Sequence, residues 1–330
     1  MTDKIETLRY RTLLKDELAK VEKRLRQTND LVPEPTLRSL HALITNGGKR
    51  LRPALVLLSA HIFNAYGERA LSLAAAMELL HTATLIHDDL IDSAPVRRNA
   101  PTLNAIWNPT IAVLTGDLVF AWAARLATDG GDIRLIRRFT ETLETVCSGE
   151  IRQSFKNQRA LPSKDDYYER IYAKTASLFA LATETGPRLV GAADEDVDAM
   201  WRFGKDLGLA FQIADDVLDL TGDEDELGKP AGSDLRHGII TLPVLLYLDT
   251  YPAERRRLQS LLQDRDEAGR DEAGFDQLIT DLRRSNAVHQ ASKIAETHVH
   301  EALEILTAYP ASPHRAAMEE IARFAVRRRY

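Results

Sequence analysis

Leu80-His81-Thr82-Ala83-Thr84-Leu85-Ile86-His87-Asp88-Asp89-Leu90-Ile91-Asp92 is an apolar helical run that ends in three carboxylates spaced i, i+1, i+4. Ala210-Phe211-Gln212-Ile213-Ala214-Asp215-Asp216-Val217-Leu218-Asp219 repeats the pattern. On a helix the first and third carboxylates of each set share one face about one turn, roughly 6 Å, apart, with the second about 100° round the axis. Two oxygen clusters therefore project from two helix ends. Carboxylates this close repel one another, apolar surroundings raise the cost, and a helix C-terminus disfavours negative charge. A cation between the clusters answers all three. Hard oxygen ligands suit Mg²⁺, which keeps several waters and binds through one or two carboxylates plus substrate phosphates. One such cluster alone would fit a solvated acidic helix end equally well, but a second in an equally apolar setting favours metal.

Outward from these runs the chain is punctuated as a series of helices. An amphipathic helix is expected from Ile5 to Arg26, with Leu8, Leu14, Leu18, Val21 and Leu25 recurring three or four apart, and Pro33 and Pro35 end it. A second runs from about Pro35 to Asn46-Gly47-Gly48, and a third from near Pro53 to before Gly67. The stretch 68–93 is apolar round most of its circumference and belongs at the centre of a bundle. Pro109 opens a helix to about Thr128, and others follow over about 133–155, 164–185, 195–221 and 242–249. Only Gly238-Ile239-Ile240-Thr241-Leu242 hints at a strand, and Pro243 argues against it. Residues 263–274 carry a short Arg-Asp-Glu-Ala-Gly repeat, read as a solvated loop or frayed helix end, and two or three helices close the chain. The fold class is all-α. No composition shift divides residues 1–330, so one domain is expected.

Composition sets outer limits. Of 330 residues, 44% are apolar and 28% charged, the mix of a soluble globular protein. The net charge of −6 provides no basic excess for general nucleic-acid binding, so any phosphate site must be local. One cysteine, Cys147, cannot form an internal disulfide and reads as core filler. The opening residues show no apolar signal core, and no run was expected to reach membrane-span length, so a cytoplasmic location is expected.

The basic residues beside the first aspartates supply a local phosphate site. Arg97-Arg98 follows Pro95, and Lys49, Arg50 and Arg52 lie in a glycine-containing turn. Arginine offers a planar fork to phosphate oxygens and lysine a point charge. Each alone could be a surface cation, but beside two metal clusters they point to a diphosphate pocket.

Together these segments resemble the trans-isoprenyl diphosphate synthases, or polyprenyl synthetases. Besides both aspartate runs, the resemblance is carried by Gly47-Gly48-Lys49-Arg50-Leu51-Arg52-Pro53, Glu78-Leu79-Leu80-His81-Thr82, Arg97-Arg98 with Pro101-Thr102, and Gly116-Asp117. It continues through Gly149-Glu150-Ile151-Arg152-Gln153, Lys174-Thr175-Ala176, Phe211-Gln212, Gly228-Lys229-Pro230 with Asp234-Leu235, and Thr241-Leu242-Pro243, in family order over about residues 40–245. The resemblance implies an isoprenoid synthase bundle of about ten or more helices around a central apolar cavity. It implies Mg²⁺-dependent condensation of isopentenyl diphosphate with an allylic diphosphate, with three ions in the loaded site.

Residue by residue, Lys49, Arg52, His81 and Arg98 resemble those that hold isopentenyl diphosphate. Arg97, Lys174 and Lys229 resemble those that hold the allylic diphosphate, with metal bridged by Asp88, Asp92 and Asp215. Asp89, Asp216 and Asp219 would support those ligands or orient metal-bound water. Lys174, Thr175 and Gln212 would flank the allylic carbocation. Glu150 and Gln153 are read as a polar network, and His87 as a packed or hydrogen-bonded histidine. The terminal arginines either close over a diphosphate or form a solvated tail.

Chain length would depend on Thr84 and Ala83, one turn back from Asp88, then on Leu80 and Met77, with Val146 or Phe120 as a deeper floor. Short-chain relatives tend to place an aromatic residue at one of the first two positions, whereas both are small here. A product longer than farnesyl is expected. Asn99, where glycine is common, and Ile239, where lysine is common, depart from the pattern. A homodimer is implied, with the face of residues 111–124 as a candidate contact, and product release could involve peripheral membrane contact. The competing classes are a terpene cyclase, which should lack the second aspartate run and the Gly-Lys-Arg turn, and a non-catalytic subunit, in which degraded aspartates are expected.

Overall fold

The computed structural model describes residues 8–27, 33–45, 48–97, 100–155, 161–222, 230–263 and 271–327. Arg98, Asn99, Gly47, Gly228, Lys229, Arg328 and Arg329, all named above, lie outside the described residues.

The expected N-terminal helix is two, α1 (Arg9–Leu13) and α2 (Lys15–Leu25), because Leu14 leaves helical geometry between them. After α3 (Glu34–Thr45), Arg50 takes a left-handed φ of 52° and turns the chain into α4 (Leu51–Ile62). α4 is buried on nearly every side, as is α5 (Glu68–Ile91), which ends on the first aspartates. The chain then forms a two-residue antiparallel pair that the sequence reading missed, β1 (Val96–Arg97) with β2 (Ala100–Pro101), and a short α6 (Leu103–Ile106). Asn108 caps α7 (Pro109–Thr128), its side chain accepting from the Ile111 N–H. α8 (Ile133–Phe155) follows.

The expected helix over 164–185 is interrupted. α9 (Lys164–Ile171), opened by a Ser163/Asp166 capping box, leads into a π-helical turn at Tyr172–Ala176 and then α10 (Ser177–Leu189). α11 (Asp194–Thr221) is the longest helix and ends on the second aspartates. Beyond it come α12 (Ser233–Arg236), α13 (Leu242–Thr250), α14 (Glu254–Gln263), α15 (Glu272–Arg284), α16 (Ala287–Leu306) and α17 (Pro313–Arg327). Residues 238–241 are not a strand; of the stretch read as a solvated loop or frayed helix end, 264–270 lie outside the described residues and 272–274 open a helix. The class is all-α.

Two apolar clusters meet along α11. One joins α4, α5, α7, α10 and α17 to Phe203, Leu207 and Ala210. The other joins α9 and α13 to α16 with Leu209, Ile213 and Leu220. These two sets of α11 residues lie on faces roughly 100° apart round its axis, so the helix is packed along two adjacent sides. Contrary to the expectation that no run reaches span length, α5 and α7 are long and apolar enough to cross a membrane by length and composition. In α5, 78% of that window is buried, as befits a central core helix; in α7 only 39% is.

Two glycines permit the close approaches that shape the site. A Cβ at Gly116 of α7 would collide with the His87 ring of α5. One at Gly208 of α11 would lie 2.5 Å from Ala176 Cα in the π-helical turn. Gly208→Val should therefore separate α11 from that turn and cost about 3 kcal/mol of stability, the upper range for overpacking. Chemical denaturation reads this directly, and an unchanged midpoint would show that the two elements have slack.

Candidate active site

Lys174 and Thr175 link the two aspartate runs, the first by an ion pair and the second through Gln212. The Lys174 ammonium is 3.2 Å from Asp88 Oδ2 at the end of α5 and 3.2 Å from Glu150 Oε1 on α8. The adjacent Thr175 donates its hydroxyl to Gln212 Oε1 on α11 (2.8 Å), and Gln212 Nε2 donates to Asp216 Oδ1 (2.9 Å). In a regular helix consecutive side chains are about 100° apart. The π-helical turn at Tyr172–Ala176 re-aims this pair, a common use of such turns at functional sites.

Burial sets the electrostatics. Asp88, Asp89, Asp216 and Asp219 are buried, whereas Asp92 is exposed and Asp215 half-buried. Burial raises the Asp89 carboxyl above its ordinary value even though Arg97 Nε donates to Asp89 Oδ1 at 2.5 Å. Burial likewise raises Glu150, against the pull of Lys174. Desolvation lowers the Lys174 ammonium, but Asp88 and Glu150 together outweigh it and leave its pKa raised. Burial pushes Asp216 up to about 7, while hydrogen bonds from Tyr167 and Gln212 oppose the rise. Asp219 Oδ2 accepts from the Asp234 N–H (3.1 Å), which ties α12 to the end of α11.

The Gly-Lys-Arg turn divides its labour. Arg50, grouped above with the phosphate-binding cations, is instead structural: it donates to Glu22, to Glu78 Oε1 (2.7 Å) and to the Ile44 carbonyl (2.5 Å). Glu78 is 5% exposed, and a buried carboxylate requires such a partner. The Lys49 carbonyl accepts from the Tyr10 hydroxyl (2.6 Å). The Arg52 guanidinium lies 5.0 Å from the Phe179 ring centroid, and Phe179 packs 5.4 Å from Phe211, the residue before Gln212. Arg52 is thus connected to α11 through two aromatic rings. His81 is half-buried on α5, one helical turn and more before Asp88.

Other expected residues fall as follows. His87 is packed as expected, with Nε2 3.2 Å from the Val113 carbonyl and its ring 5.3 Å from Phe120. Glu150 joins the polar network through Lys174, but Gln153 is exposed on α8 and does not share that buried environment. Cys147 is exposed rather than core filler. Of the four chain-length positions, Ala83, Leu80 and Met77 are packed shut and Thr84 alone keeps accessible surface. An apolar cleft of about 290 Å³ beside Arg97 is lined by Leu43, Pro101, Leu103 and Ile106 among others.

Sequence reasoning missed Tyr167, whose hydroxyl donates to Asp216 Oδ2 at 2.6 Å. It sits seven residues before Lys174 in a segment whose apolar spacing marks only a core face. A second ligand-like group, Asp206, His298 and Glu301, also went unread; its ligand atoms lie within 4.8 Å of one another. His298 Nδ1 and Asp206 Oδ1 already pair at 3.1 Å there. Asp206 is nine residues before Asp215 on α11, about 13 Å along the axis.

The aspartates fit a hard divalent ion. Every candidate ligand is a carboxylate oxygen, burial raises Asp89 and Asp216 above their ordinary values, and Lys174 already serves as an internal cation to Asp88. Asp92 is exposed and Asp215 half-buried, while Asp88, Asp89, Asp216 and Asp219 are buried.

Residues 34–280 match the family model described as polyprenyl synthetase. The chain is 36% identical over 315 residues to a short chain isoprenyl diphosphate synthase of Methanothermobacter thermautotrophicus, covering 94% of this chain and 95% of that one. It is 35% identical to heptaprenyl diphosphate synthase component 2 of Geobacillus stearothermophilus, covering 97% and 98%. Among solved structures, the polyprenyl synthase of Caulobacter crescentus complexed with calcium and isoprenyl diphosphate superposes with a TM-score of 0.88 at 33% identity, over 100% of this chain and 99% of that one.

In metal-free protein the Asp216 titration has a definite sign. Its folded value of about 7 lies above the ordinary carboxyl value of 3.8, so folding favours the protonated form. The stabilising contribution is present below about pH 4 and is lost as pH rises toward about 7. Denaturation in chelator should show wild type losing stability faster than Asp216→Asn across that window, by up to about 1.4 kcal/mol per pH unit. Parallel curves would mean that Asp216 is ionised throughout.

Proposed function

This chain belongs to the polyprenyl synthetase family and is a prenyltransferase that elongates isoprenoid diphosphates, and from that premise we propose that it performs Mg²⁺-dependent head-to-tail condensation of isopentenyl diphosphate with an allylic diphosphate to an all-trans product of geranylgeranyl length or longer. The observation that carries this is the placement of Lys174 and Thr175, the first paired with Asp88 of the first aspartate run and the second joined through Gln212 to Asp216 of the second.

Asp88, Asp92 and Asp215 would hold the ions, three when substrate is present, with Asp89, Asp216 and Asp219 orienting them or their waters. Bound Mg²⁺ supplies Lewis-acid stabilisation of the negative charge on a departing diphosphate. Arg97 and Lys174, now on Asp89 and on Asp88 with Glu150, would hold that diphosphate, as would Lys229, which lies outside the described residues. Lys49, Arg52, His81 and Arg98 would hold isopentenyl diphosphate. Thr175 spends its proton on Gln212 Oε1, so its oxygen lone pairs are what it offers to developing positive charge. The proton lost after the new bond forms is assigned to the released diphosphate.

Product length follows from Thr84, the one accessible position of the four. Relatives range from a short chain synthase to a nonaprenyl diphosphate synthase of Mycobacterium tuberculosis, 34% identical over 92% of this chain. Small residues at Ala83 and Thr84 support a chain longer than farnesyl. A homodimer is supported by the outward face of α7, where Val113 and Leu114 are 40% and 62% exposed. The name component 2, carried by relatives at 35% and 33% identity, favours a second reading: a catalytic component that works beside another chain.

Purified protein with isopentenyl diphosphate, Mg²⁺ and dimethylallyl, geranyl or farnesyl diphosphate should give an allyl-dependent ladder ending at one length. Chelator should abolish it. Activity from the chain alone, at twice its 36.9 kDa mass by light scattering, supports the homodimer; inactivity of the chain alone points to the two-component assembly. Thr84→Phe should shorten the product by at least one isoprene unit with turnover retained, and an unchanged ladder would place the floor elsewhere.

A further inference from the structure

Tyr167 has no part in the chemistry above, yet it makes a short hydrogen bond to the second aspartate run. Its side chain is 1% exposed on α9, and its hydroxyl donates to Asp216 Oδ2 at 2.6 Å. The ring makes a T-shaped contact with Tyr168, centroids 5.5 Å apart, and lies 5.4 Å from the Arg170 guanidinium. Arg170 is itself tied to the Ile240 carbonyl (2.8 Å), which anchors that contact.

The contact belongs to a chain of hydrogen bonds with one direction. The Tyr167 hydroxyl donates to one oxygen of Asp216 and the Gln212 amino group to the other. With its amino group on Asp216 (2.9 Å), Gln212 turns its carbonyl to Thr175, whose hydroxyl donates to it (2.8 Å). These four side chains, from α9 to the π-helical turn, orient one another. Burial and the neighbouring Asp216 both raise the phenol pKa, which keeps it a donor.

Taking the aspartates as metal ligands, as proposed above, we propose that Tyr167 is a positioning residue of the elongation site: its hydroxyl orients Asp216 and, through it, the Gln212 amide and the Thr175 hydroxyl. Without that donor, Asp216 Oδ2 is buried and unsatisfied. The carboxyl is then free to rotate away from the Gln212 amino group. The amide is free to turn over, and Thr175 to reverse. The residues behind the metal ligands and the dipoles beside the allylic carbon then lose their orientation together, although Tyr167 touches neither metal nor substrate.

The test is Tyr167→Phe, which removes one oxygen, with Tyr168→Phe as a neighbouring control. Mn²⁺ binding in the presence of inorganic pyrophosphate is measured by isothermal titration, beside kcat and the KM for isopentenyl diphosphate. Loss of a group that orients a metal ligand typically weakens metal affinity by about 10-fold to 100-fold. Tyr167→Phe should raise the Mn²⁺ Kd about tenfold and lower kcat with that KM unchanged, while Tyr168→Phe matches wild type. A variant that is less heat-stable but binds Mn²⁺ and turns over like wild type would overturn the positioning role. If Tyr167→Phe does not fold, 3-fluorotyrosine at 167 keeps the shape and strengthens the donor. A change of at least about threefold in the same Kd is then expected, and no change overturns the role. Wild type that fails to elongate would instead overturn the proposed function.

Discussion

Burying carboxylates at the ends of two apolar helices is the constraint on which the rest of the site depends. Asp88, Asp89, Asp216 and Asp219 are each less than a tenth exposed, and desolvation raises Asp89 and Asp216 toward neutrality. The fold answers each with a different donor: an ammonium from the π-helical turn, a guanidinium from the β1–β2 pair, a phenol with an amide, and a backbone N–H from α12. Each donor comes from a different element, so the surrounding helices must all be in place before the aspartates are satisfied.

The π-helical turn converts that requirement into a working geometry. Residues 174 and 175 are neighbours in sequence, yet one addresses α5 and α8 and the other α11. The close approach of Ala176 to Gly208 brings the turn against α11 near Gln212. The turn is thus both a packing element and the bridge between two acidic sites.

Much of this was legible in the sequence for physical reasons. Proline and glycine punctuate the helices sharply, so Pro109, Gly67 and Thr221 fell close to observed boundaries, and the two aspartate runs end apolar helices as their spacing requires. What stayed hidden depends on pairs far apart in sequence. Arg50 and Arg52 are indistinguishable as letters in one turn. Only the fold puts Glu22 and Glu78 around the first and Phe179 beside the second. Tyr167 reads as a core tyrosine because its partner is 49 residues away. The π-helical turn leaves no signature in helical periodicity, since it inserts a single residue's worth of offset into an otherwise continuous run. The β1–β2 pair is too short for alternation to register.

The cations nearest the aspartates are engaged in ion pairs when no ligand is present. Arg97 is on Asp89 and Lys174 is on Asp88 and Glu150, so the carboxylates that would face metal and the cations that would face diphosphate neutralise one another. A divalent ion arriving at Asp88 competes with Lys174, and a diphosphate competes with Asp89 for Arg97. Each substitution alone leaves one charged group poorly compensated in a half-buried setting, where that is costly. When both arrive, the carboxylates gain the ion and the cations gain the phosphate oxygens, so neither set is left without a counter-charge. Two ligands that relieve the same electrostatic debt must each strengthen the other's binding. On the proposed function, the pairing of Arg97 with Asp89 and of Lys174 with Asp88 and Glu150 would favour metal and diphosphate taken up together over either one alone.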